Sequence, residues 1–86
     1  MLSPEARQDL IRRLRRIEGQ TQGIQRMLAE GRDCREVLTQ LASVRAATRR
    51  VSLELMRLYM LACLNDPNCK ESDRVINDMI RFLLRV

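Results

Sequence analysis

Two apolar seams with alternating steps of four and three residues, joined across a short link at Gly31–Asp33, constrain this chain more than any other feature. The first seam runs Leu10, Leu14, Ile17, Thr21, Ile24 and Leu28; the second runs Val37, Leu41, Val44, Thr48, Val51, Leu55, Leu58 and Ala62. That spacing puts one apolar stripe on each of two helices. Ser3-Pro4-Glu5 is a helix start, with Ser as N-cap, Pro in the first turn and an acid beside it, and Gly31 is a stop. Asp33, with Glu36 three residues on, opens the second helix, and Asp66-Pro67-Asn68 ends it. A third amphipathic helix starts at about Cys69 or Ser72, with Val75, Ile76, Met79, Ile80 and Leu83 on one face. The sequence therefore predicts an all-α, three-helix protomer with helices over about 4–30, 34–65 and 69–85, forming a single domain over 1–86.

Lengths set the architecture. Helices of about 26 and about 31 residues are ~39 and ~46 Å long, and a link of about three residues makes them antiparallel neighbours. Leu38, Leu53 and Leu61 lie off the main seam and would be exposed in a lone hairpin. With 86 residues, one Tyr, one Phe and no Trp, the chain has little with which to seal a core alone. A homodimer of hairpins closing a four-helix bundle, and beyond it a tetramer, is the expected assembly; a three-helix monomer is the alternative.

The chemistry the chain lacks is equally informative. There is no His, which removes the commonest general base and the commonest metal ligand, and with them Ser-His and Cys-His catalysis. No apolar stretch reaches membrane-spanning length and no signal-peptide pattern opens the sequence, so the cytoplasm is the expected compartment. The formal net charge is +5, and 15 of the 16 cations are Arg. Arg binds phosphate bidentately, so a basic small domain points to nucleic acid before membrane. Arg12, Arg13, Arg15 and Arg16 cluster on the first helix, and Arg45, Arg49 and Arg50 on the second. An antiparallel pair can align these into one patch on double-stranded DNA, with Arg15, Arg16, Arg45, Arg49 and Arg50 as the candidate contacts. Arg12 and Arg13 are candidates for carboxylate pairing instead. The competing interpretation is a solvated face salt-bridged by Glu18, Glu36 and Glu54.

Three Cys at irregular spacing do not make a secreted disulfide framework. Cys34 stands at the first position of the second helix, where the free N–H groups, the helix dipole and the flanking Arg32 and Arg35 all favour a thiolate. Cys63 lies in the last turn of the same helix. The two are 29 residues apart, hence ~44 Å along a continuous helix, far beyond the roughly 7 Å between Cα atoms that a disulfide tolerates. They can meet only between subunits, Cys34 of one facing Cys63 of an antiparallel second copy. The plain alternative is that both are small buried apolar residues. Cys69 falls beside the Asp66–Lys70 loop and reads as an exposed, incidental thiol.

The stretches Arg12-Arg13-Leu14-Arg15-Arg16-Ile17-Glu18-Gly19-Gln20, Gly23-Ile24-Gln25-Arg26-Met27, Gly31-Arg32-Asp33-Cys34 and Val37-Leu38-Thr39-Gln40-Leu41-Ala42-Ser43-Val44-Arg45-Ala46-Ala47 resemble the CsoR/RcnR repressor family over nearly the whole chain. The resemblance implies all-helical dimers of hairpins that assemble into tetramers, repress their operons and release DNA when an inducer binds. It also implies a sensing site joining Cys34 to Cys63 of the neighbouring subunit, with no enzymatic activity. Copper sensors of that family place a His four residues before the last Cys; Tyr59 stands there in this chain. Nickel or cobalt sensing needs several His, and formaldehyde sensing an N-terminal Pro, where Pro4 is internal. A two-Cys, His-free site resembles the CstR-type branch, whose dithiol reacts with persulfide or polysulfide. On that basis the expected inducer is reactive sulfur, with no metal or cofactor, and Arg32, Arg35 and Tyr59 surround the sensing thiols. The alternative is Cu(I) held by Cys34 and Cys63. A thiol- or persulfide-transfer enzyme is a remoter reading, and lacks a Cys-x-x-Cys.

Overall fold

The computed structural model describes residues 2–69 and 72–85. The chain forms α1 (Pro4–Ala29), α2 (Cys34–Leu64) and α3 (Ser72–Leu83). α3 thus begins at Ser72 rather than at Cys69, which stays in the connecting segment.

The helix ends form for the reasons their residues supply. The Ser3 hydroxyl accepts the Ala6 N–H at 3.1 Å, and the Asp33 carboxylate accepts the Arg35 N–H at 3.1 Å. Between the helices the Arg32 N–H reaches back to the Met27 carbonyl and the Gly31 N–H to that of Leu28, both ends of a Schellman motif. Gly31 takes φ 70°, the left-handed conformation that this stop requires and that a Cβ disfavours. The turn folds α2 back along α1. One wall between them pairs Asp9, Arg12, Arg13, Arg16 and Gln20 with Ser43, Ala46, Ala47 and Arg50, the antiparallel order.

The protomer is thin. Its principal extents are 55 × 28 × 12 Å, and 12 Å is about one helix diameter. A single layer of helices has one inner line of contact per neighbour and two open faces, so little of the apolar sequence is covered. Leu10, Ile24 and Val37 are buried along the hairpin, while Met56, Val75 and Met79 form a second cluster where α3 meets α2. The expected seams are thus only partly internal. Leu14, Leu28, Leu41 and Leu55 remain exposed, and Met56, which lies outside the stripe read from the sequence, is buried by α3. On α3 itself Val75 and Met79 face inward, whereas Ile76, Ile80 and Leu83 face solvent. Leu38 and Leu61, off the seam, are exposed as expected, and Leu53 lies at the margin of exposure. No helix among the described residues is long and apolar enough to cross a membrane.

Candidate functional site

The two ends of α2 carry the thiols. Cys34 opens the helix, exposed and free. Of its two flanking cations, Arg32 is drawn to carboxylates, 2.7 Å from Glu36 and 3.9 Å from Glu30. Arg35 caps with its backbone, through the N–H bond to Asp33. Positive charge beside Cys34 therefore comes less from Arg32 than its position in the sequence suggests.

The other end of α2 departs from the sequence-based picture. Cys63 is bonded to Cys69 within the same chain, their Cα atoms 5.5 Å apart. Cys69 is half-buried rather than an exposed incidental thiol. The cause is local. The Asp66 carboxylate accepts the Asn68 N–H at 2.9 Å and the Asp66 carbonyl accepts the Cys69 N–H at 3.0 Å, a turn with Asp first and Pro second. That turn folds the chain back onto the last turn of α2, where the Asp66 N–H also bonds the Cys63 carbonyl at 3.1 Å. The signal was present in Asp66-Pro67-Asn68-Cys69. It reads as a helix breaker, but its geometry also returns the fourth residue toward the helix end. Tyr59 and Cys63 both pack against the Met56–Val75–Met79 cluster. Tyr59 also lines a groove of about 470 Å³ with Leu55, Met79, Phe82 and Arg85. Among the described residues no three His, Cys, Asp or Glu converge in one protomer.

The arginines divide into two groups. Arg12, Arg13, Arg16 and Arg50 converge on a cleft of about 460 Å³ between α1 and α2. Asp9 lies at its edge and pairs with Arg13 at 3.0 Å and, more loosely, with Arg12 at 3.9 Å. This is the carboxylate pairing expected of those two. Gln20 Oε1 is buried beside the cleft without a hydrogen-bond partner among the described residues. Arg45 and Arg49 instead flank a mainly apolar groove of about 700 Å³ on the open face of α2, with Leu38, Leu41 and Leu53, and Arg50 borders both. Residues 45 and 49 share a helical stripe and residue 50 lies about a hundred degrees round it, so Arg50 connects the lining of the groove, with Arg45 and Arg49, to that of the cleft, with Arg16. Among the described residues none of Arg15, Arg16, Arg45, Arg49 or Arg50 has a carboxylate within salt-bridge distance. Salt bridging consumes Glu36, on Arg32, and Glu54, which takes Arg57 through two contacts of 2.6 and 3.1 Å. The Arg57 hydrogen bond holds the Glu54 carboxyl below its ordinary range, the charges of Arg57 and Arg13 acting the same way.

A one-layer helical hairpin with unneutralised arginines along both long helices and thiols at the two ends of one of them defines a small all-α scaffold that solved structures share. The copper-sensing repressor CsoR with Cu(I) from Geobacillus thermodenitrificans superposes with a TM-score of 0.81 at 27% identity, over 98% of this chain and 92% of that one. The nickel-responsive transcriptional regulator InrS does so at 0.77 and 33% identity, over 86% and 88%. The chain belongs to the metal-sensitive transcriptional repressor family, whose model matches residues 6–85. Among sequence relatives, the copper-sensing repressor RicR of Mycobacterium tuberculosis is 46% identical over 52 residues, 60% of this chain. The copper-sensing repressor CsoR of Bacillus subtilis is 38% identical over 64 residues, 74% of this chain. The matched segments span 54% and 63% of those two relatives' lengths.

Proposed function

We propose that the chain is a DNA-binding transcriptional repressor whose inducer is Cu(I), held by thiolates of Cys34 and Cys63 from two subunits of a homo-oligomer. The observation that carries this reading is the donor set. The chain has no His, its thiols stand at the two ends of α2, and its sequence relatives are copper-sensing repressors. Cu(I) is a soft ion that prefers thiolates and accepts low coordination numbers. The residues fit it once Cys63 is reduced, since a bonded sulfur is not a thiolate donor. Tyr59 adds bulk against the α2–α3 cluster rather than a soft donor.

The oligomer is supported by the shape of the protomer. A layer one helix thick, with Leu38, Leu41 and Leu53 lining an open groove, leaves apolar surface that a second layer covers. A second copy also offers the only route between Cys34 and Cys63, which a continuous α2 keeps far apart in one chain. Unpaired Arg16 and Arg50 in the α1–α2 cleft, with Arg15, Arg45 and Arg49 beyond it, supply phosphate contacts to duplex DNA. A ligand bridging two α2 helices biases their relative placement, and with it the spacing of the arginine clefts.

A second reading keeps the same repressor with a persulfide or polysulfide inducer. It is supported by the exposed, free Cys34 thiol and by the ability of Cys63 to enter a disulfide. The Cys34 thiolate would attack a sulfane sulfur of the polysulfide, breaking its S–S bond and expelling the shortened polysulfide. The reduced Cys63 thiolate of the partner subunit would then displace hydrosulfide from the Cys34 persulfide to form a disulfide crosslink. Fluorescence anisotropy of reduced protein on the duplex that precedes its own gene separates the readings. Release of the DNA by Cu(I) supports the first, and release by polysulfide alone replaces it with the second. A chain with no salt-sensitive duplex binding is not a repressor.

A further inference from the structure

Cys69 has no role in the sensing site described so far, yet the fold delivers its sulfur to Cys63. Two features place it there. The Asp66-Pro67-Asn68-Cys69 turn is built from the Asp66 side-chain and backbone hydrogen bonds, at 2.9 and 3.0 Å, and not from the sulfur bridge. The Cys63 end of the loop is anchored by the helix and by packing against Met56, Val75 and Met79. Reducing the bond therefore leaves two thiols whose Cα atoms remain close to their present 5.5 Å separation. Two thiols that near one another, on a short loop, form a chelate for a soft monovalent cation, because a small adjustment of the side chains opens room for a metal between the sulfurs.

We propose that Cys69 is a metal ligand of this chain: reduced Cys63 and Cys69 form an intrachain dithiolate that binds Cu(I), to which Cys34 of the partner subunit adds a third sulfur. The proposal rests on the Cu(I) reading above and extends it to a residue outside the two-thiol site. It supplies from the loop the third donor that Tyr59 does not. It also makes the oxidised pair a closed form of the site. A small-molecule thiol opens it: two equivalents deliver two electrons and two protons to the Cys63–Cys69 bond and leave as their own disulfide. Each protein thiol then loses its proton as Cu(I) binds, so a dithiolate complex carries one net negative charge.

The test is a Cu(I) titration of the reduced full-length chain against a chromophoric Cu(I) chelator, with the sulfur count per copper read by X-ray absorption. It compares wild type, Cys69→Ser and Cys34→Ser, with helical circular dichroism as the control for folding. Three sulfurs per copper are expected in wild type and two in each variant. Cys69→Ser should weaken binding by more than the roughly 10–100-fold that loss of an outer-shell partner costs, and Cys34→Ser should still retain copper on the Cys63–Cys69 pair. If Cys69→Ser keeps wild-type affinity and sulfur count while Cys34→Ser loses copper altogether, Cys69 is not a ligand and the two-thiol intersubunit reading stands. If wild type itself does not compete with the chelator, the Cu(I) reading fails, and this proposal with it.

Discussion

Cys63 is bonded to Cys69 six residues further along the same chain, while Cys34, at the far end of the helix that carries Cys63, is free and exposed. The three thiols are therefore unequal. One is open to reagents, and two are held together by a turn that the intervening Asp, Pro and Asn dictate.

That inequality is measurable directly. Alkylation followed by intact-mass spectrometry should add one adduct, on Cys34, to the oxidised chain and three after reduction and unfolding. Peptide mapping of an Asp66→Ala variant should show a smaller bridged fraction at equal thiol–disulfide poise, since the variant loses the carboxylate that accepts the Asn68 N–H. An unchanged fraction would mean that the turn does not preorganise the pair.

The arginine cleft gives a graded prediction for DNA. Arg16→Ala and Arg50→Ala each remove a cation with no carboxylate partner among the described residues. Each should lower duplex affinity and reduce the slope of log K against log salt by about 0.9 per lost phosphate contact. Arg13→Ala removes a guanidinium already 3.0 Å from Asp9 and should change the slope less. Equal slopes for all three would place the DNA elsewhere.

On the open face of α2, Leu38 is 63% and Leu41 46% exposed in the protomer. Charges placed there cost the isolated hairpin little, but they are buried if that face is covered by a second copy. Leu38→Glu and Leu41→Glu should therefore leave helical content unchanged and lower the sedimenting mass. A wild-type mass for both variants would move the interface off this groove.

Gly31 tests the hairpin turn. Its φ of 70° is the left-handed conformation, and a Cβ there would meet nothing within 4 Å. Gly31→Ala should thus destabilise through backbone strain alone, by about 1–2 kcal/mol, read as a lowered midpoint in denaturant. The same change at Gly19, helical and equally open, should stabilise slightly, by up to about 1 kcal/mol.

Among the described residues, the Glu54 carboxyl is held below its ordinary range, first by the Arg57 hydrogen bond. A carboxyl whose folded-state pKa lies below its unfolded value adds stability that is complete above the unfolded value and is lost as pH falls through the folded one. The stability difference between wild type and Glu54→Gln should accordingly be constant near neutrality and shrink below about pH 4, under the usual glutamate value of ~4.3. Both partners are solvent-accessible, so the difference is small and screened by salt. A difference that grows on acidification would reverse the assignment.

Local rules determined most of the scaffold. Ser3 and Asp33 as caps, Gly31 as the stop, the four-three seams and the Asp66-Pro67 break each act within a turn or two of chain, so the three helices and the hairpin could be read from residue order. Arg13 finding Asp9 follows from i,i+4 spacing in the same way. The legible part of the site was likewise local: Cys34 at a helix start, Cys63 at a helix end and the arginine clusters between. Tertiary structure decided what sits opposite what. Met56 became core because α3 lies across it, and Leu14 and Leu41 stayed exposed because the hairpin is one layer thick. Arg50 joined Arg12, Arg13 and Arg16 in one cleft and also borders the groove that Arg45 and Arg49 face. Cys69 reached Cys63 because a turn reverses direction, and a helical periodicity, which measures only position around and along one straight axis, carries no record of where the chain goes after that axis ends.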